Sequence, residues 1–130
     1  MRMAETKLID SQLSYVLNGV FFTVHNALGR YCSEQQYADA VEHELQCAAL
    51  TYEREKVLPL AFDGERPGRN RVDFLIENRI VVELKAKPVL EREDYTQVLR
   101  YLRSLNCKLG ILVNFRMRTL IPKRVLNSIA

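Results

Sequence analysis

Apolar residues recur at Leu13, Val16, Leu17, Val20, Phe21, Val24 and Leu28. Steps of three and four place them on one stripe of an amphipathic helix over residues 11–28. Gly29 follows as a C-cap. His25 falls beside the stripe near the helix end, where a structural place is expected. Ser33 opens a second helix, because Ser33 and Gln36 have the spacing of a capping box. This helix runs to about Leu50, with Tyr37, Ala38, Val41, Leu45 and Ala48 facing inward. Over residues 51–62, Tyr52, Arg54 and Lys56 alternate with Glu53, Glu55 and Val57. That is a strand at or near an edge, since Pro59 cannot donate to a ladder. Residues 63–68, DGERPG, form a turn. A third helix spans about 93–106 on a stripe of Tyr95, Val98, Leu99, Leu102 and Leu105. Gln97 and Tyr101, four apart, share a neighbouring face. Residues 108–115, KLGILVNF, are the nearly continuous apolar run of a strand buried on both faces. The tail holds a loop and a short element over 119–125, strand or short helix.

The stretch 72–87 reads VDFLIENRIVVELKAK. Two apolar runs flank Glu77-Asn78-Arg79, the pattern of a hairpin. With the turn centred on Asn78, Asp73 lies directly opposite Glu83. Lys85, two residues beyond Glu83, shares its face. Directly opposed residues are about 4.5–5.5 Å apart at Cβ. Carboxylates that close repel unless a cation sits between them or one holds a proton. A hard divalent cation with oxygen ligands, Mg²⁺ or Mn²⁺, answers that need. A two-residue loop at Asn78-Arg79 would instead set Asp73 against Leu84 and put the acids on opposite faces. A surface strand with a solvated acid–base ladder is the plainer alternative. In the first register, Val72, Phe74, Ile76, Ile80, Val82 and Leu84 make a core face. A helix and then a buried strand after the hairpin imply a crossover and a mixed sheet.

Composition narrows the class. The 130 residues suit one domain with a substantial core, after a loose lead-in at 1–10. No apolar run approaches the roughly 20 residues that span a bilayer. The N-terminal residues lack the apolar core of a signal peptide, so a cytoplasmic place is expected. Cys32, Cys47 and Cys107 are odd in number and widely spaced, and are expected as buried or half-buried thiols. The net charge is +3, yet residues 115–130 carry Arg116, Arg118, Lys123 and Arg124 and no acid. Arg66, Arg69 and Arg71 form a second cluster just before Asp73. Basic clusters beside carboxylates suit a phosphate-rich substrate. Glu34 lies on the apolar stripe at the start of the second helix. Either it favours the positive end of the helix dipole, or it is a third carboxylate aimed at Asp73 and Glu83.

Glu34, Asp73, Glu83-Leu84-Lys85, Gln97 and Tyr101 follow one another in an order that resembles the PD-(D/E)XK nuclease superfamily. More narrowly, the chain resembles the small GxxExxY proteins through residues 25–29 (HNALG), Glu34-x-x-Tyr37, residues 52–55 (YERE), Asp73-Phe74-Leu75, residues 82–86 (VELKA) and residues 110–115. Tyr31 stands where that family's motif has glycine. The resemblance implies a restriction-endonuclease-like α/β core, a mixed sheet flanked by helices in the order α-α-β-β-β-α-β, then a short terminal element. It implies Mg²⁺- or Mn²⁺-dependent phosphodiester hydrolysis of nucleic acid, DNA ahead of RNA, with little sequence specificity. Asp73, Glu83 and the Leu84 carbonyl would hold the metal. Glu34 would hold a metal-bound water or a second metal. Lys85 would position or activate the attacking water. Gln97 and Tyr101 would orient Lys85 or grip the backbone. Arg66, Arg69, Arg71, Arg116, Arg118, Lys123 and Arg124 would contact phosphates, setting affinity rather than sequence choice. A non-catalytic nucleic-acid-binding or protein-interaction module on the same fold is the alternative, and a homodimer or protein partner fits so small a chain.

Overall fold

In the computed structural model, residues 10–128 are described. Helix α1 spans Ser11–Leu28 and α2 spans Glu34–Cys47. Strands β1 (Tyr52–Val57), β2 (Arg71–Ile76) and β3 (Ile80–Lys85) follow. Helix α3 (Arg92–Leu105) leads to β4 (Leu109–Asn114) and β5 (Lys123–Leu126). The strands form one sheet in the order β1-β2-β3-β4-β5. Strand β4 is parallel to β3, and the other neighbours are antiparallel. A parallel neighbour needs a crossover, and α3 supplies it. The expected α/β architecture is the observed one, and the terminal element is an edge strand.

Each face of the sheet carries its own core. Leu17, Phe21 and Val24 of α1 and Tyr37, Val41 and Leu45 of α2 cover Phe74, Ile80, Val82, Ile111 and Val113. Val98, Tyr101 and Leu102 of α3 cover Leu75, Val81 and Leu112 on the other side. Strand β4 is buried along its whole length. Ser33 and Gln36 close both bonds of the capping box at α2. The Gly29 N–H bonds to the His25 carbonyl at 2.8 Å, ending α1. His25 Nε2 lies 2.9 Å from the Met117 carbonyl oxygen, a structural contact.

Several positions differ from expectation. Val16 is 42% exposed, because the α1 stripe is narrower than its apolar pattern. Helix α2 stops at Cys47, three residues early, and Ala49 turns left-handed at φ 56°. Ala48 and Cys47 are therefore exposed instead of buried. The buried face of α3 is Asp94, Val98, Tyr101 and Leu102. Tyr95, Leu99 and Leu105 only flank it. Asp10 is tied down by Arg79 at 3.0 Å, and the rest of the lead-in lies outside the described residues. Among the described residues, no helix is long and apolar enough to cross a membrane.

Candidate functional site

The hairpin adopts the register centred on Asn78, pairing Ile76 with Ile80, Leu75 with Val81 and Phe74 with Val82. Glu77 and Asn78 both have positive φ, 52° and 57°, the turn that suits the right-handed twist of a hairpin. Asparagine tolerates that region readily. Glu77 is held there through its backbone N–H to the Thr51 carbonyl at 2.8 Å, while its carboxylate accepts the Thr51 N–H.

One step past Phe74–Val82, ladder bonding gives way to side chains. The Asp73 N–H donates to Glu83 Oε1 at 2.8 Å. The Leu84 N–H donates to Asp73 Oδ2 at 2.7 Å. The two acids thus stand where a ladder pair belongs. The strands part there, and Val72 packs with the α3-side core instead of joining Phe74 on the other.

Glu83 is 5% exposed. Burial, then the charge of Asp73, pushes its carboxyl up to about 8, outweighing the Asp73 N–H and Lys85. Asp73 is raised in the same direction, by burial first and by Glu34, against the Leu84 N–H and Lys85. Each acid uses one oxygen on a backbone N–H, which leaves Asp73 Oδ1 and Glu83 Oε2. Among the described residues no buried side-chain polar atom is left both sealed and unbonded, so these two oxygens reach solvent. Paired acids that resist ionisation, each with an open oxygen, are a donor set suited to a hard divalent cation.

Helix α3 supplies the next layer. Asp94, Gln97 and Tyr101 lie at i, i+3 and i+7, on one face. Lys85 Nζ donates to Gln97 Oε1 at 3.1 Å and lies 3.9 Å from Asp94 Oδ1. Tyr101 is buried. Burial and the charge of Glu83 push its hydroxyl up to about 12, against Arg100 and Gln97, so it stays a protonated donor at neutral pH.

Glu34 heads α2, one turn beyond the core, and is exposed rather than turned inward. Its charge is felt at both Asp73 and Glu83. It does not close a tight trio with them, however. Among the described residues, the group of three such ligand side chains lying within 4.8 Å of one another is His43, Glu44 and Cys47, on α2.

The basic residues are not gathered into one patch. Arg66 and Arg69 line an open groove of about 510 Å³ with Phe62 in the β1–β2 connection. Arg71 donates to the Gly68 carbonyl at 3.1 Å and lies 4.0 Å from Glu55. Arg116 donates to the Arg30 carbonyl at 3.1 Å. Arg118 and Lys123 are exposed. Arg124 is drawn to the first turn of α1, with Nη1 2.8 Å from Ser14 Oγ, on the face away from α3.

Two supporting residues escape a reading of the sequence. Asp94 bonds Lys87 Nζ at 3.0 Å and accepts the Glu91 N–H at 2.7 Å. Burial opposes its charge, but that N–H and Lys87 together hold its carboxyl below the usual range. Its signal was Glu91-x-x-Asp94, the spacing of a cap before an apolar stripe. Asn114 ends β4 and brackets Lys87, accepting its N–H at 3.1 Å and donating to its carbonyl at 2.8 Å. A lone amide closing the run LGILVN was the available hint.

The fold has a counterpart among solved structures. The crystal structure of SSO0001 is similar in fold, with a TM-score of 0.56 at 19% sequence identity. The likeness covers 94% of this chain, which spans 61% of that one. No curated protein matches the sequence. The family model of the PD-(D/E)XK nuclease superfamily matches residues 11–125, across every element that builds the site, and the chain belongs to that superfamily.

Proposed function

We propose that this protein is a metal-dependent nuclease that hydrolyses phosphodiester bonds with little sequence preference, and that it falls within the GxxExxY group of its superfamily. The observation that carries this reading is the Asp73–Glu83 pair. A buried Glu83 and a half-buried Asp73 interrupt a hairpin ladder, keep one open oxygen each and have Lys85 beside them. Asp73, Glu83 and the Leu84 carbonyl would hold Mg²⁺ or Mn²⁺, with Glu34 reaching the site through a water or a second ion. The chemistry such an ion would supply there is polarisation of a phosphate oxygen and a nucleophilic water near neutral pH.

The chain's own groups do the remaining work. Gln97 accepts one hydrogen of the Lys85 ammonium and fixes its direction. An ammonium so held positions the attacking water and counters the negative charge that builds on the phosphoryl oxygens. The Tyr101 hydroxyl, kept protonated, donates to a phosphate oxygen or to Gln97. DNA is the substrate we favour. Arg66, Arg69, Arg71, Arg116, Arg118 and Lys123 supply contacts that are blind to sequence, with a steep fall of affinity as salt rises. Arg124, already bonded to Ser14, contributes least. A cytoplasmic place and a homodimer or protein partner accord with this role.

The experiment is Mn²⁺ and Mg²⁺ calorimetry on the wild type and Asp73→Asn, followed by cleavage assays on DNA and RNA. Wild-type binding that disappears in Asp73→Asn, with Mn²⁺-dependent cleavage lost in Glu83→Ala and Lys85→Ala, is the expected result. Full cleavage in both alanine variants removes the site assignment. Nucleic-acid binding with neither metal binding nor cleavage marks a non-catalytic module.

A further inference from the structure

The loop between α1 and α2 carries a feature that the metal chemistry does not use. Tyr31, at the loop between α1 and α2, is 77% exposed. Its surroundings are nevertheless built. Arg30 Nε donates to the Arg116 carbonyl at 2.9 Å, and Arg116 Nε donates back to the Arg30 carbonyl at 3.1 Å. Both guanidinium carbons stand over the tyrosine ring, 5.2 and 5.7 Å from its centroid. Neither arginine has a carboxylate within 4.0 Å among the described residues. Their terminal nitrogens are therefore available to an outside anion.

The loop is anchored to the site through a short chain of contacts. The Tyr37 hydroxyl donates to the Gly29 carbonyl and accepts the Cys32 N–H, bracketing residues 29–32. The Tyr37 ring stacks on Phe115 at 4.3 Å. The Phe115 N–H bonds to the Lys85 carbonyl at 2.8 Å. Glu34, three residues after Tyr31, is felt electrostatically by both Asp73 and Glu83.

We propose that Tyr31, framed by Arg30 and Arg116 on the loop that leads into Glu34, is a base-stacking platform, and that the preferred substrate is DNA with an unstacked base there, a single strand or a single-stranded end. This rests on the nuclease reading and names its substrate class. The ring surface that the guanidiniums leave exposed takes any base, because every base has a π-face, and the two guanidiniums grip the adjoining phosphates. Inside continuous duplex both faces of a base are already covered by its neighbours. Only a base without a stacking partner gains from Tyr31.

The test measures binding, without divalent metal, of a single-stranded oligonucleotide carrying 2-aminopurine and of the same sequence as duplex closed by loops at both ends. The proteins are the wild type, Tyr31→Phe and Tyr31→Ala. Tyr31→Ala is expected to weaken single-strand binding by about tenfold, to abolish the stacking quench of 2-aminopurine, and to leave closed-duplex binding within about twofold. Tyr31→Phe, which keeps the ring, behaves as wild type. Equal losses on both substrates, or no loss on either, overturn the platform. Mn²⁺-dependent cleavage of the same oligonucleotides, checked against Glu83→Gln, reports separately on the nuclease reading. Cleavage without any effect at Tyr31 defeats the platform alone, and a Tyr31-dependent quench without cleavage defeats the nuclease reading alone.

Discussion

The Glu83 carboxylate accepts the backbone N–H of Asp73 at 2.8 Å, on the residue whose own carboxylate caps the Leu84 N–H at 2.7 Å. Two side chains have replaced two ladder bonds, in a place where neither acid ionises freely. Such an arrangement is a cost to the fold, which the proposed cation between the two acids would offset.

That cost has a pH signature. Folded Glu83 keeps its proton up to about 8, whereas its ordinary value is 4.5. Between those values the native state binds more protons than the unfolded chain, so stability falls as pH rises. Asp73, raised as well, adds to the same slope. Urea denaturation in chelator is expected to show a midpoint that declines across this window. Glu83→Gln removes the main ionisation and should flatten the decline. An unchanged slope in that variant would place its origin elsewhere.

At the proposed metal site, cation and proton would compete for the same oxygens. Below about 8 a bound cation must displace the proton of Glu83, so affinity for Mn²⁺ should climb as pH approaches that value and proton release should accompany binding. Calorimetry in two buffers of different ionisation enthalpy reads the released protons directly. Glu83→Gln is expected to lose both the release and most of the affinity. Tight binding there without release would point to a site that excludes Glu83.

The opposition of Asp73 and Glu83 was legible because a turn centred on Asn78 and a period of two leave little choice, and the ladder from Ile76 to Phe74 keeps that register. The face of Val72 was not legible. It follows from side-chain bonds to backbone between Asp73, Glu83 and Leu84, which alternation does not encode. The buried face of α3 shifted for a similar reason. Lys87 and the Glu91 cap satisfy the Asp94 carboxylate, so an acid sits where an apolar stripe would exclude it. Glu34 was recognisable as an oddity on α2, but its distance from the acids depends on how the helix packs. Arg124 looked like its neighbours until Ser14, 110 residues away, claimed it.

Lys85 depends on Gln97 for its direction, through a bond of 3.1 Å. Gln97→Ala removes the acceptor and leaves Asp94, at 3.9 Å, to draw the ammonium aside. Misplacement by about 1 Å costs on the order of 100-fold in a positioned group. The expected loss is in kcat, with KM near wild type, because binding of the strand rests on other residues. Gln97→Glu retains an acceptor and should be milder. Steady-state cleavage kinetics separate the two parameters, and a loss confined to KM would make Gln97 a substrate contact.

The same helix is seated by a glycine. A Cβ on Gly110 of β4 would lie 2.7 Å from Val98 Cγ1, with Leu102 Cδ2 and the Val81 carbonyl oxygen each at 3.5 Å. Val98 is fully buried, so its methyl has no room to retreat. Gly110→Ala must lift α3 from the sheet, at about 1–3 kcal/mol of stability by overpacking. Because Gln97 precedes Val98, the lift also carries the Lys85 acceptor away, and kcat should fall with stability. Val98→Ala makes space at the contact. The double variant Gly110→Ala/Val98→Ala is therefore expected to be more stable than the sum of the two single losses, with part of kcat restored. Denaturation midpoints and rates on the four proteins test this, and strictly additive losses would mean that the glycine is not what seats α3.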